Sequence, residues 1–286
     1  MKRILVPIAL PITSRAVADQ AATLARRFGS EIILLHVVAP PGSLHGLLTY
    51  GHDLTDADRL VAGVRQAQED LDQALLPEFE GMAVRRLLHK GEPAREILRV
   101  AREHDVDLIA MLTHDEAAVY SLLLGSTAAK VLHHAACSVW TDSPGVAGQP
   151  FSIQRVLCAV ELSPHSRRTV AGAAQMAAAF GARLTLVHVT PGAEEFGPGG
   201  FHVVTQWRQH FVDTATGEIT KLQQELNIAA DVIVESGNVR AQLNQVAEAS
   251  NSDLLVLGRK PPGGHLGDNG SGYAIIRDAR IPVLSL

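Results

Sequence analysis

The chain has 286 residues, 47% of them hydrophobic and only 4% aromatic, so its cores must be built mainly from Leu, Val, Ile and Ala. The net charge of −5 gives no electrostatic attraction for nucleic acid or an anionic membrane. No run approaches the roughly 18 uninterrupted apolar residues of a membrane span. The apolar run at the N-terminus is too short for a signal peptide, so we expect a cytoplasmic protein.

Apolar runs of strand length alternate with longer helical patterns through the first half of the chain. A helix with one apolar face is predicted from the capping residues at Thr55–Asp58 to Ala74. The other predicted helices are Ser14–Phe28, Glu92–Glu103 and Ser126–His134, and the predicted strands are Arg3–Ile8, Ile32–Val38, Val84–Leu88, Asp107–Leu112 and Ser138–Thr141.

The second half repeats this order. Phe28 and Phe180 share a spacing of 152 residues with His36 and His188, whereas Asp107 and Asp253 are 146 residues apart. Two copies of one domain therefore fill the chain, with a Pro- and Gly-rich linker between them. The predicted domains are 1–142 and 151–286, the linker is 143–150, and the second set of strands is Arg155–Glu161, Arg183–Val189, Asp231–Glu235, Asp253–Leu257 and Pro282–Leu286.

Strands that alternate with helices predict an α/β fold, in which a parallel sheet is covered by helices on both faces. The segments LIAML and LLVLG are almost entirely apolar, as expected for strands buried on both faces. Ligands of such folds bind beyond the carboxyl ends of the strands, at the point where the strand order reverses. The residues that follow the first, second and fourth strands of each copy are therefore the candidate site.

An ordered set of short motifs occupies those positions. ILVPIA and VLCAVE form the first strands, LLHVV and LVHVT end the second strands, and Gly91-Glu92-Pro93 precedes the third helix. With a glycine-rich segment and a final P-V-L, this set resembles the universal stress protein family over nearly the whole chain. The resemblance implies two tandem flavodoxin-like or Rossmann-like domains, each with strand order 3-2-1-4-5, in a UspA-like stress-response protein.

The same resemblance implies how the domains associate. Family members pair through their fifth strands, so we expect Val139–Thr141 to pack against Val283–Leu286 within one chain. Each fifth strand is otherwise an open apolar sheet edge, and pairing removes that edge. A homodimer of the whole chain and further protein partners are compatible with this expectation.

Family members with the full glycine motif bind ATP, because glycines after the fourth strand let the backbone approach ribose and phosphate. The first repeat departs from the motif: Ala9 stands at the acidic position, and Leu112 and Asp115 replace the two early glycines. Gly125 and Ser126 keep the part of the site at the helix start. A simple helix cap is the alternative explanation for these two residues.

The second repeat keeps more of the motif. Glu161 holds the acidic position and Gly258 the first glycine, but Pro261 replaces the second glycine and cannot donate an N–H. We therefore expect any ATP or other adenine nucleotide to bind weakly, and in this repeat; the alternative is a structural or flexible loop. The candidate residues are Glu161, Val189, Gly258, Arg259, Lys260, Gly270 and Ser271.

Other chemistry finds little support in the sequence. His36 and His188 are interpreted as structural imidazoles and Cys137 and Cys158 as small buried hydrophobes. His45, His52 and His114 lack the partners of a metal site, so no metal is expected beyond Mg²⁺ with a nucleotide. No catalytic triad or complete Walker motif is present, and we do not expect enzymatic activity. The hypotheses are a nucleotide-responsive regulator, a ligand-free scaffold and, last, a slow ATP hydrolase.

Overall fold

The computed structural model describes residues 1–12, 15–39, 57–113, 125–142, 151–192, 200–259 and 271–286, with the backbone alone at 57–61, 200–206 and 271. The chain divides into two compact units, Met1–Phe151 and Ser152–Leu286. Each unit is an α/β domain with a single parallel sheet, as predicted.

The first unit has strand order β3-β2-β1-β4-β5, and every described pair of neighbouring strands is parallel. This order matches the expectation from the family resemblance. The elements are β1 Arg3–Ile8, α1 Ala16–Phe28, β2 Glu31–Val38, α2 Ala57–Gln73, β3 Val84–Lys90, α3 Pro93–Glu103, β4 Leu108–Leu112, α4 Ser126–His134 and β5 Ser138–Asp142.

The second unit repeats the arrangement with strand order β8-β7-β6-β9-β10. Its first strand is shorter than predicted: it ends at Ala159, and Glu161 lies beyond it on an exposed part of the chain. The elements are β6 Arg155–Ala159, α5 Ser166–Phe180, β7 Arg183–Thr190, α6 Gly200–Leu226, β8 Asp231–Ser236, α7 Val239–Ala249, β9 Leu254–Leu257, α8 Ser271–Asp278 and β10 Val283–Ser285.

One aspartate in each unit fixes the start of the central strand. The Asp107 carboxylate accepts hydrogen bonds from the backbone N–H groups of Lys2 and Arg3. Asp253 accepts equivalent bonds from Gln154 and Arg155, both at 2.8 Å. Partial burial acts to raise the pKa of Asp107, but the backbone donors outweigh it and hold the pKa below its usual range.

Glycine ends the first helix of both units. Gly29 and Gly181 adopt left-handed backbone conformations, with φ of 66° and 65°, at the ends of α1 and α5. Their N–H groups bond to carbonyls of the last helical turn, which is the usual way to terminate a helix. The repeated Phe-Gly pair seen in the sequence is therefore a helix-stop signal that precedes the second strand.

A buried polar cluster crosses the fifth strand of the first unit. The indole N–H of Trp140 donates to Gln20 Oε1 at 2.6 Å, and Gln20 Nε2 donates to Asp142 Oδ2 at 2.7 Å. Strand register places Leu284 and Leu286 of the second unit where Trp140 and Asp142 lie in the first. Gly172, at the position equivalent to Gln20, leaves room for Leu286, since a Cβ there would lie 2.4 Å from Leu286 Cδ1.

Replacing Gln20 by Leu keeps the side-chain volume but removes the acceptor of the Trp140 N–H and one partner of Asp142. We expect the free energy of unfolding of the first unit to fall by about 2–4 kcal/mol, since buried polar groups lose their partners. Urea unfolding followed by Trp140 fluorescence, in a Trp207→Phe background, measures this loss. Gln66→Leu is the control, because Gln66 also bonds to an aspartate but on an exposed helix face; equal losses would contradict the prediction.

Glu96 gives the first unit a pH-dependent contribution to its stability. Its carboxylate accepts a hydrogen bond from Arg99 Nη2 at 2.6 Å, and its side chain is only 12% exposed. This hydrogen bond, helped by the charge of Arg99 and opposed by burial, holds the pKa of Glu96 below its ordinary value of 4.5. The ionised form therefore stabilises the folded state above pH 4.5, and the stabilisation is lost as the pH falls through the lowered pKa.

A Glu96→Gln variant should lack this contribution. The difference in unfolding free energy between the wild type and the variant should be largest above pH 4.5 and should shrink at lower pH, in urea titrations across that range. Glu69→Gln, which breaks an exposed ion pair with Arg65, serves as the control and should have a small effect. A difference for Glu96→Gln that grows on acidification would refute the assignment.

Candidate functional site

A histidine at the end of the second strand holds the carboxyl edge of each sheet. His36 Nδ1 lies 3.0 Å from the Ile8 carbonyl oxygen, and His188 Nδ1 lies 2.7 Å from that of Val160. A carbonyl can only accept, so Nδ1 carries the proton in both rings. The prediction of structural imidazoles is confirmed: His36 is buried and His188 is half-buried.

The first unit carries a cavity of about 290 Å³ at this edge. The ends of β1, β2 and β4 form its floor, with Val6, Leu35 and Met111 as buried apolar side chains. Ala9, Ile12 and Leu112 line its mouth. Among the lining residues that the structure describes there is no Lys, Arg, Asp or Glu.

Apart from the buried His36, the polar residues of the cavity lie on one side, where β4 ends and α4 begins. Thr113 donates its N–H and its hydroxyl to the Asp142 carbonyl at 3.0 and 2.9 Å, and its own carbonyl accepts the Gly125 N–H at 2.9 Å. A Cβ on Gly125 would lie 3.2 Å from that same carbonyl oxygen. Gly125 is thus the N-cap of α4 and is packed closely against β4, and Ser126 begins the helix.

Among the residues that the structure describes, the equivalent edge of the second unit carries a small depression. Its depression measures about 10 Å³, no more than the space one water molecule needs. The Ser166 hydroxyl, which lines the depression, accepts a hydrogen bond from the Ser163 backbone N–H at 2.9 Å. The lining residues described are Ala159, Glu161, Ser163, His165, Ser166, Thr169, Gly258 and Arg259.

Gly258 has a packing role in this depression. A Cβ built on it would lie 2.7 Å from Thr169 Oγ1, a distance that real structures essentially never show. The equivalent positions of the first unit are Leu112 and Val17, so the glycine–threonine pair of one unit replaces a leucine–valine pair of the other. The missing side chain of Gly258 therefore accommodates Thr169 of α5.

The structure brings together only some of the residues predicted for the second repeat. Glu161, Gly258 and Arg259 line one depression, with Glu161 exposed and Arg259 only 8% exposed. Val189 lies on β7, paired with Glu235, and is not among the lining residues of that depression. Ser271 is the first residue of α8. Lys260 and Gly270 lie outside the described residues, as do Asp115 and Pro261.

The sequence analysis did not predict the cavity of the first unit, or that Thr169, Ser163 and His165 line the depression of the second. Gly125 and Ser126 line the cavity of the first unit, and their role in ligand binding stays a prediction. The available signal was the pairing of the two repeats, since Val17 and Thr169 share the 152-residue spacing. The repeat spacing identifies these equivalent residues, but it does not show how their side chains pack and so whether a cavity forms between them.

Burial makes one cysteine unreactive and raises the pKa of the Cys158 thiol to about 12. Cys158 is fully buried and Cys137 half-buried, and neither of them forms a disulfide bond. In the described ranges, no group of three or more His, Cys, Asp or Glu side chains is placed to hold a metal ion. His45, His52 and His114 lie outside those ranges. Every described helix is too short or too polar to cross a membrane.

Known proteins resemble both the sequence and the fold. The universal stress protein family profile matches residues 1–141 and again residues 152–285. A universal stress protein of Methanothermobacter thermautotrophicus is 41% identical over 71 residues, 24% of this chain and about half (48%) of that relative. One from Methanocaldococcus jannaschii is 28% identical over 138 residues, 48% of this chain and 79% of the relative. The crystal structure of a universal stress protein from Archaeoglobus fulgidus superposes with a TM-score of 0.70 at 21% identity, over 99% of this chain and 95% of that one.

Two parallel five-stranded sheets covered by helices, each with a candidate site at its carboxyl edge, define a tandem α/β protein with Rossmann-like domains. The Archaeoglobus structure has the same fold across its length. Because the family profile covers nearly every residue in two successive matches, the chain belongs to the universal stress protein family.

The packing role of Gly258 predicts a specific rescue. Gly258→Ala alone should destabilise the second unit by about 1–3 kcal/mol, because the new Cβ collides with Thr169. Adding Thr169→Ala should recover most of that loss, and hydrogen-exchange mass spectrometry over α5 and β9 can measure it. Gly217→Ala is the control, since a Cβ there has nothing within 4 Å. Additive effects of the two substitutions would rule out the packing role.

Proposed function

We propose that this protein is a non-catalytic regulator whose first unit binds a small ligand at the carboxyl edge of its sheet. The cavity of about 290 Å³ carries this proposal, since it is close to the size of small-molecule sites and lies where ligands of doubly wound folds bind. Ligand binding would act by changing the stability of that edge, and with it the affinity for a partner.

Engaged polar groups support a role in binding rather than in chemistry. The Thr113 hydroxyl donates to the Asp142 carbonyl, and His36 Nδ1 bonds to the Ile8 carbonyl. Both groups bond to backbone carbonyls, so neither of these two contacts pairs a hydroxyl with a base, the arrangement that nucleophilic catalysis requires. Slow ATP hydrolysis remains the lowest-ranked hypothesis for this chain.

A weak adenine-nucleotide site in the second unit is a second candidate. Glu161, Gly258 and Arg259 line one depression, so the same depression has an acidic residue for a ribose and a basic residue for a phosphate. The depression of about 10 Å³ must open before a nucleotide can enter, and that requirement supports weak binding. ATP, with Mg²⁺ as its companion, is the ligand we propose for this unit.

The partners of the regulator are proposed from the family resemblance alone. The pairing of Val139–Thr141 with Val283–Leu286 and a homodimer of the chain both remain predictions. A ligand-free scaffold is the alternative that the small depression of the second unit favours. A measurement of ligand binding distinguishes the scaffold hypothesis from the regulator hypothesis.

Matched substitutions at the two mouths test the proposal. Ala9 and Glu161 occupy equivalent exposed positions, so Ala9→Phe narrows the mouth in the first unit and Glu161→Phe that in the second. Native mass spectrometry should detect a small molecule retained by the purified wild type and by Glu161→Phe, but not by Ala9→Phe. Calorimetry should find weak ATP binding that Glu161→Phe lowers at least fivefold.

The enzyme hypothesis is checked with the same proteins. No variant should change the rate of phosphate release from ATP relative to a buffer blank, because the proposal assigns no reacting group. Retention of the same ligand by both phenylalanine variants would place it outside the two edges and overturn the proposal. Phosphate release that Glu161→Phe abolishes would revive the hydrolase hypothesis.

A further inference from the structure

Resting on the proposed ligand role of the first unit, we propose that its cavity selects an uncharged ligand with an apolar body and one hydrogen-bonding end, and excludes nucleotide phosphates. The cavity is about 290 Å³, roughly twice the ~150 Å³ cavity that holds benzene in an engineered protein. A body of two fused rings therefore matches its size.

The floor of the cavity is built for an apolar surface. Val6, Leu35 and Met111 are buried, and each contributes only hydrocarbon or thioether atoms. Leu112 and Ile12 extend this surface to the mouth. An apolar ligand gains free energy in proportion to the area it removes from water here. A phosphate would lose its hydration, and the described lining offers no lysine or arginine to compensate that loss.

The two units differ at four equivalent positions, and at each of them the first unit has the less polar or less charged residue, or a larger apolar side chain. The second unit has Glu161, Gly258, Arg259 and Thr169 around its depression. The first unit has Ala9, Leu112, Thr113 and Val17 at the same places, by the repeat spacings of 152 and 146 residues. The first unit thus has neutral and mostly apolar side chains where the second unit has a carboxylate, a guanidinium, a glycine and a threonine hydroxyl.

Each replacement removes a specific nucleotide contact. Without a carboxylate at Ala9, no side chain at that position can accept a hydrogen bond from a ribose hydroxyl. The side chain of Leu112 occupies the space through which a backbone approach to phosphate would occur. Thr113 supplies no charge where the second unit has Arg259, so the described lining has no lysine or arginine to compensate a phosphate.

Hydrogen-bonding groups are concentrated on one side of the cavity, and His36, the other polar lining residue, is buried and engaged through Nδ1 with the Ile8 carbonyl. Thr113, Ser126 and Thr127 line that side, and the cap of α4 has no side-chain hydrogen bond. The backbone N–H groups of Ser126 and Thr127 have no acceptor within the helix, because they belong to its first turn. A ligand hydroxyl or carbonyl placed there would be recognised while the rest of the molecule lies against the apolar floor.

The test compares ligands that share a body and differ in charge. Calorimetry with the full chain should give at least tenfold tighter binding of 2-naphthol, neutral at pH 7, than of 2-naphthyl phosphate or AMP in the first unit. Ala9→Phe should abolish 2-naphthol binding, and the matched Glu161→Phe should leave it unchanged. Leu112→Gly should weaken it about tenfold, since it removes a side chain from the contact surface. Circular dichroism verifies the fold of each variant.

The outcomes separate this inference from the proposed function. Tighter binding of 2-naphthyl phosphate or AMP that Ala9→Phe blocks would overturn the ligand class while leaving a ligand site in the first unit. Absence of binding by every probe, and of any retained molecule in folded wild-type protein, would overturn both. Binding of 2-naphthol that only Glu161→Phe blocks would place it in the second unit and also refute the inference.

Discussion

The hydrogen bond from a histidine Nδ1 to the carbonyl at the end of the central strand sets the geometry of both candidate sites. His36 and His188 make this bond in equivalent places, where the chain leaves the sheet and a backbone carbonyl would otherwise lose its partner. The bond fixes the direction in which the next residues, Ala9 and Glu161, reach the edge. Each unit therefore presents the same backbone frame to a ligand, and differences in function arise from side chains.

The duplicated core shows how side chains diverge on a constant frame. Trp140, Gln20 and Asp142 satisfy one another's polar groups in the first unit, whereas the second unit has only apolar counterparts and a glycine that admits Leu286. A single replacement within either set would leave an unpaired polar group or a steric collision. The sets must therefore change together, and the Gly258–Thr169 contact follows the same rule at the site itself.

Much of the fold follows from the sequence, because alternation of strands and helices and the repeat itself are local signals. The strand order came from the family resemblance, and it matches the structure in each unit. The cavity of the first unit could not be predicted, since its volume depends on how Leu112, Val17 and Ala9 meet in three dimensions. Gly258 illustrates the same limit. The sequence alone does not distinguish a glycine that binds a ligand from a glycine that leaves room for the side chain of Thr169.

Fusion of two domains in one chain allows what a symmetric dimer forbids. Identical subunits must carry identical sites, so any substitution that favours one ligand appears at both. In this chain Arg259 and Glu161 coexist with Thr113 and Ala9 at equivalent places, so one edge can keep charges for an anionic ligand while the other loses them. An apolar pocket and a charged depression impose opposite requirements on the same four positions. Because each repeat has its own residues at those four positions, both requirements can be met in one chain. At all four positions the first unit has the less charged, less polar or more apolar residue, and this common direction favours divergence of ligand preference over random loss of a site.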